Sequence, residues 1–117
     1  MNQRMVGSCF EEKAAAYLQA EGLCVLQKNY RCRIGEIDLV AKDGDTLVFV
    51  EVKYRSGGLY GSPEEAVNQA KQKKIRRVAQ FYLIQQGTPP DTCCRFDVIA
   101  IGGDGTIVHF QNAFGGI

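Results

Sequence analysis

Four ionisable residues in the stretch IGEIDLVAKDGDTLVFVEVKYR, residues 34–55, have types and spacing that could do chemistry: Glu36, Asp38, Glu51 and Lys53. In the first half Glu36, Asp38 and Val40 share one parity and Ile37, Leu39 and Ala41 the other. In the second half Leu47, Phe49, Glu51 and Lys53 alternate with Val48, Val50, Val52 and Tyr54. Asp43-Gly44 between the two runs predicts a two-residue hairpin loop, because a type I′ turn needs positive φ at both central positions. With that loop, Lys42 faces Asp45, Asp38 faces Phe49 and Glu36 faces Glu51. Asp38 is then diagonal to Glu51, and all four side chains share one sheet face within reach of each other. Two carboxylates about 4 Å apart repel by roughly 4 kcal/mol at an effective dielectric near 20. A divalent cation turns that repulsion into coordination, and hard ions such as Mg²⁺ take one or two carboxylates, carbonyl oxygen, water and phosphate. Lys53, two residues past Glu51, would hold or polarise a water beside the ion. The competing account makes the acids solvent-facing residues of an amphipathic hairpin. Against it, Glu51 interrupts the apolar run Leu47–Val52, and a buried strand carries acid only when the charge is compensated.

Other charged residues carry two accounts each. Glu11 lies at the edge of an apolar stripe with Ala14, Ala15 and Leu18, and either joins the site or closes a capping box with Ser8. Lys28, Arg31 and Arg33 interleave with Tyr30 just before the hairpin, and either seat a phosphate backbone or decorate a solvated loop. Lys71, Lys73, Lys74, Arg76 and Arg77 make the densest basic patch. Carrying the inward stripe Ile75, Val78, Ala79 and Tyr82 back by four residues lands on Lys71.

The elements that must position these residues follow from periodicity and punctuation. The spacing predicts a helix over 8–21, stopped by Gly22, and a short strand over Leu23–Leu26. The hairpin follows, then a glycine-rich link over Arg55–Gly61. Ser62-Pro63-Glu64-Glu65 opens a long helix to about Gln86, ended by Gly87 and Pro89-Pro90. Arg95–Ile101 reads as a buried strand with Asp97 embedded, supported by Arg95 or Lys71. Thr106–Phe110 reads as a short edge strand with His109 on its surface. The sequence has 117 residues and a net charge of +1, which suits one domain over 1–117 and gives no global field for a polyanion. No apolar run reaches the length of a membrane span, and the N-terminus lacks a signal-peptide core, so a cytoplasmic protein without a membrane partner is expected. The five cysteines, Cys9, Cys24, Cys32, Cys93 and Cys94, show no C-x-x-C spacing and are expected as reduced thiols.

An Asp followed by Glu-x-Lys on the next strand resembles the signature of the PD-(D/E)XK nucleases. Over nearly the whole chain the sequence also resembles the bacterial YraN family of small uncharacterised proteins, related to archaeal Holliday junction resolvases. The pieces that carry this are Gly7…Glu11-x-x-Ala14-x-x-Tyr17-Leu18, Asn29-Tyr30-Arg31, Gly35-Glu36-Ile37-Asp38-Leu39-Val40, Val48-Phe49-Val50-Glu51-Val52-Lys53-x-Arg55, Lys71, Arg95-Phe96-Asp97-Val98 and Asn112-Ala113-Phe114. The resemblance implies an α/β, restriction-endonuclease-like αβββαβ core, a central mixed sheet flanked by helices. It implies Asp38 and Glu51 as metal-binding and catalytic acids, Lys53 as catalytic lysine, Glu11 as the helix acid of the resolvase-like branch and so a further catalytic and metal-binding acid, and the Val52 carbonyl as a further ligand for Mg²⁺ or Mn²⁺. The expected activity is a metal-dependent, structure-directed endonuclease on branched or flapped DNA in repair or recombination. Arg31, Arg33, Arg55, Lys71 and Lys74 are the expected nucleic-acid contacts. The alternative is a non-catalytic nucleic-acid-binding module that keeps the nuclease fold. Its motive is the small size and +1 charge, which leave a homodimer or partner to supply gripping surface.

Overall fold

The structure, a computed structural model, describes residues 3–55 and 67–115, with side chains from residue 9 onward. A first helix, α1 (Gln3–Ala20), precedes strands β1 (Cys24–Arg31), β2 (Glu36–Asp43) and β3 (Thr46–Arg55). A second helix, α2 (Gln69–Gln85), leads to β4 (Cys94–Gly102) and β5 (Ile107–Phe114). The five strands form one mixed sheet in the order β1-β2-β3-β4-β5, parallel only between β3 and β4. This is the expected α/β arrangement, a central mixed sheet flanked by helices.

β3 lies at the centre, and its alternation sorts the core into two faces. Leu47 and Phe49 pack with Ile75, Val78, Ala79 and Tyr82 of α2 and with Phe96 of β4. Val48 and Val50 pack with Ala14, Ala15 and Leu18 of α1 and with Ile99 and Ile101 of β4. Both helices stop by the same device. Gly22 (φ +93) and Gly87 (φ +64) take the left-handed conformation that glycine adopts without strain. The next amides, Leu23 and Thr88, then donate back to the carbonyls of Leu18 and Leu83, at 2.9 and 3.0 Å. Leu23 and Leu18 are buried in the same cluster, so the stop also fixes the entry into β1.

The hairpin register differs from expectation by two residues. Asp43 pairs with Thr46, Lys42 with Leu47 and Leu39 with Val50, so the loop is Gly44-Asp45. Gly44 alone has positive φ (+59), the pattern of a loop with glycine at its first central position rather than of a type I′ turn. Asp43 stays in the ladder, and its carboxylate accepts from Arg95 Nη1 at 2.9 Å. An even shift keeps Val40, Leu47 and Phe49 on their expected face, towards α2, with Asp38 and Glu51 next along it, whereas Ile37, expected beside Leu39 and Ala41, packs with Val40 and Phe49 instead.

Four element boundaries also differ, the first being α1, which begins at Gln3 rather than at residue 8. α2 starts at Gln69 rather than Ser62: Asn68 is extended (φ −71, ψ 167), and its side chain caps the helix by accepting the Lys71 N–H at 2.9 Å. The capping box expected over Ser62–Glu65 and the link over residues 56–61 lie outside the described residues. β1 continues to Arg31, because a register shift between Val25 and Gln27 leaves Leu26 47% exposed and breaks the apolar alternation. β5 continues to Phe114 past a second shift, opposite Asp97, where Asn112 takes φ +51.

Candidate functional site

The β2–β3 ladder ends at Leu39–Val50, so the next facing positions are Asp38 and Glu51. Beyond that point β2 stays paired with β1 down to Arg31–Glu36, while β3 stays paired with β4 up to Arg55–Gly102. The acids therefore sit where two central neighbours stop bonding to each other. Asp38 Oδ2 accepts the Val52 N–H at 2.8 Å, which bridges the unpaired step. Glu51 acts on Asp38 at this unpaired step as a neighbouring like charge. Burial and the charge of Glu51 push the Asp38 carboxyl up to about 7, against the pull of the Val52 amide, and Glu11 adds to the rise.

Glu51 is buried, which removes the account of it as a solvent-facing hairpin residue. Its charge is compensated by two ammonium groups at one oxygen, Oε1: Lys71 Nζ at 2.9 Å and Lys53 Nζ at 3.8 Å. The backward extension of the α2 stripe to Lys71 thus locates a real partner. For Lys71, burial works against the charged form, but the Glu51 hydrogen bond and the charges of Glu51, Asp38 and Glu36 outweigh it and raise its pKa. All three acids therefore act on one point at the start of α2.

Glu11 lies in the interior of α1, which begins at Gln3, so no capping box with Ser8 exists. Its carboxylate accepts from Asn29 Nδ2 at 2.6 Å. Burial raises its pKa; the Asn29 hydrogen bond opposes this and the charge of Glu36 adds to it. Asn29 falls opposite Asp38 in the β1–β2 register and carries a left-handed backbone (φ +55). Asn29 belongs to the Asn29-Tyr30-Arg31 piece that carries the resemblance but was expected in no site role; its signal is an asparagine inside a basic-aromatic run, a residue type that tolerates this conformation. Glu36 turns outward and pairs with Arg31 Nε at 3.1 Å.

The expected nucleic-acid contacts spread around this end of the sheet. Arg31 and Glu36 line, with Cys32 and Gly35, an open cavity of about 380 Å³. Arg33 is exposed nearby, and the Lys74 stem crosses Gly35 so closely that a Cβ there would lie 3.0 Å from Lys74 Cε. Arg55 ends β3, and its carbonyl accepts the Gly103 N–H at 3.1 Å. Among the described residues, no three of His, Cys, Asp and Glu converge as a group that could hold a metal ion. What converges is an acid pair with a third acid in electrostatic contact and two lysines.

The profile of the family described as Uncharacterised protein family UPF0102 matches residues 10–101. The chain belongs to this family. Similar UPF0102 proteins include one from Symbiobacterium thermophilum, 49% identical over 115 residues (95% of this chain and 97% of that protein). One from Nitrosomonas eutropha is 48% identical over 108 residues, covering 92% and 91%. One from Lachnoclostridium phytofermentans is 48% identical over 101 residues, 86% of each. The UPF0102 match spans Glu11, Asp38, Glu51, Lys53 and Lys71 and ends before β5.

A second polar network occupies the opposite face of the sheet in this UPF0102 chain. Asp97, fully buried, accepts from Arg95 Nε at 3.1 Å and from the Asn112 N–H at 2.9 Å, and bonds His109 Nε2 at 2.7 Å. Burial alone would raise the Asp97 pKa, but these partners, His109 foremost, pull it below the ordinary value. His109 Nδ1 in turn meets the Tyr17 hydroxyl at 3.4 Å. Asp97 is thus the structural support expected, through Arg95 rather than Lys71. His109 is not a surface residue: its side chain is 5% exposed, because it faces Ile99 on the side of the sheet that α1 covers, where the Tyr17 ring packs edge-on against it. No helix among the described residues is long and apolar enough to cross a membrane.

Proposed function

We propose that this chain is a divalent-metal-dependent phosphodiesterase of the PD-(D/E)XK type that cuts branched or flapped DNA. The observation that carries this is the facing pair Asp38 and Glu51 at the point where β2 and β3 stop pairing, with Lys53 two residues on. The donor set fits a hard cation: two carboxyls facing each other, partly desolvated and repelling when both are charged, an arrangement that a plain hairpin has no reason to keep. Asp38 and Glu51 would hold Mg²⁺ or Mn²⁺, with the Val52 carbonyl as a further oxygen donor and Glu11 adding negative charge. When bound, the ion supplies charge stabilisation at the phosphoryl group and a more acidic water. Lys53, anchored beside Glu51, donates to the attacking water or a phosphate oxygen and holds it in line. Arg31, Arg33, Arg55 and Lys74 would take backbone phosphates flanking the cut. A net charge of +1 gives little long-range attraction, so a homodimer or partner would extend the grip.

The test is cleavage of flapped and four-way branched DNA with Mg²⁺ or Mn²⁺ by the wild type, Asp38→Asn and Lys53→Ala. The proposal expects product from the wild type and a loss of about 10²-fold or more in each variant, the scale of a lost catalytic group. Equal product from all three would mark a contaminant. DNA binding without product under any divalent ion would favour the non-catalytic module.

A further inference from the structure

Glu51 is the most buried member of the acid cluster, and a buried carboxylate needs a counter-charge. Lys71 supplies it from the first turn of α2, reaching inward with a side chain that remains 44% exposed. The Lys71 ammonium sits in the combined field of Glu51, Asp38 and Glu36, which is the region a divalent ion would occupy. Lys53 and Lys71 both approach Glu51 Oε1, and Lys71 is the closer by 0.9 Å (3.8 against 2.9 Å). An ion that takes Glu51 through Oε1 meets the Lys71 ammonium already there.

We propose that Lys71 is the resident counter-cation of the site, which a divalent ion displaces, and that the released ammonium then takes a phosphate of the DNA strand. The inference rests on the assignment of Asp38 and Glu51 as cation ligands. Its consequence is coupling: the free protein binds the ion weakly, and DNA strengthens ion binding because the strand gives Lys71 a new partner. By linkage the ion strengthens DNA binding by the same factor. Such a device keeps the site closed to divalent ions until a substrate is present.

The experiment is calorimetric titration of the full chain with Mn²⁺, with and without a flapped DNA carrying uncleavable phosphorothioate linkages. The proteins are the wild type, Lys71→Met, Lys71→Arg and Lys73→Met, each checked for folding by thermal melting. Without DNA, Lys71→Met should bind Mn²⁺ about tenfold more tightly than the wild type, within the usual 5–150-fold range of site coupling. Lys71→Arg, which keeps the competing cation, and Lys73→Met, which removes an exposed charge from the same helix, should stay near the wild type. DNA should tighten Mn²⁺ binding in the wild type and much less in Lys71→Met. Folded Lys71→Met with unchanged or weaker Mn²⁺ affinity overturns the proposal while leaving the metal site standing. An equal gain in Lys73→Met overturns it too, since a general field would then suffice. Absence of Mn²⁺ binding in all four proteins, with DNA and without, overturns the site and the proposal together.

Discussion

Replacing Asp38 by Asn removes a negative charge while keeping an oxygen that can accept the Val52 N–H. In the folded chain Asp38 gives up its proton near 7 instead of near 3.8. Between those values the folded state binds more protons than the unfolded one, so stability falls as pH rises through this window and is fully lost above about 7. At about 1.4 kcal/mol for each tenfold change in proton affinity, the full loss is ~4 kcal/mol. Asp38 is only partly buried by area, and solvent screening brings the figure to roughly 2 kcal/mol. Asp38→Asn should therefore stabilise the metal-free protein by that amount at about pH 8, a rise of roughly 6–12 °C in Tm. At pH values near 4 the wild-type carboxyl is itself neutral and the advantage should vanish. The assay is calorimetric melting in a chelator at both pH values. A variant that is less stable than the wild type at pH 8, or equally stabilised at both pH values, would refute the like-charge account of the pair.

Loss of Asp97 should cost more than loss of any surface acid. Asp97→Ala strips partners from Arg95, His109 and the Asn112 amide at once, and urea unfolding should show a loss of about 3–5 kcal/mol. His109→Ala should cost about 1.5–3 kcal/mol by the same measurement, because one charge-assisted bond goes. Asn68→Ala removes the α2 cap three residues before Lys71 and should cost about 1 kcal/mol, read from the urea midpoint. Gly35→Ala presses on the flexible end of Lys74, so stability should fall by less than about 1 kcal/mol while DNA affinity in gel-shift titration drops. An unchanged affinity there would remove Lys74 from the interface.

The faces of the sheet were legible in the sequence and the register was not, for one reason. Side-chain direction depends on parity, so a two-residue error in the Gly44-Asp45 loop left Asp38 and Glu51 together, while parity itself fails at Ile37, which packs with Val40 and Phe49. Which acid faces Glu51 depends on the count itself, and there Asp38 replaces Glu36. The bulges near Leu26 and Asn112 interrupt the two-residue period, and the strands they belong to read as shorter than they are. Glu11 looked like a cap because Ser8 stands three residues before it, a local pattern that a helix beginning at Gln3 makes irrelevant. His109 was misplaced because its burial is set by α1 covering that face, through Tyr17, 92 positions away in sequence. Lys71 was legible because helical periodicity holds across the first turn of α2.

Anomalous diffraction from crystals of the full chain soaked in Mn²⁺ tests the acid pair most directly. The account predicts a single strong peak between the Asp38 and Glu51 carboxylates, with metal–oxygen distances of about 2.1–2.3 Å. No peak at that position in crystals soaked at millimolar Mn²⁺, with the Asp38–Val52 and Glu51–Lys71 contacts unchanged, would contradict it.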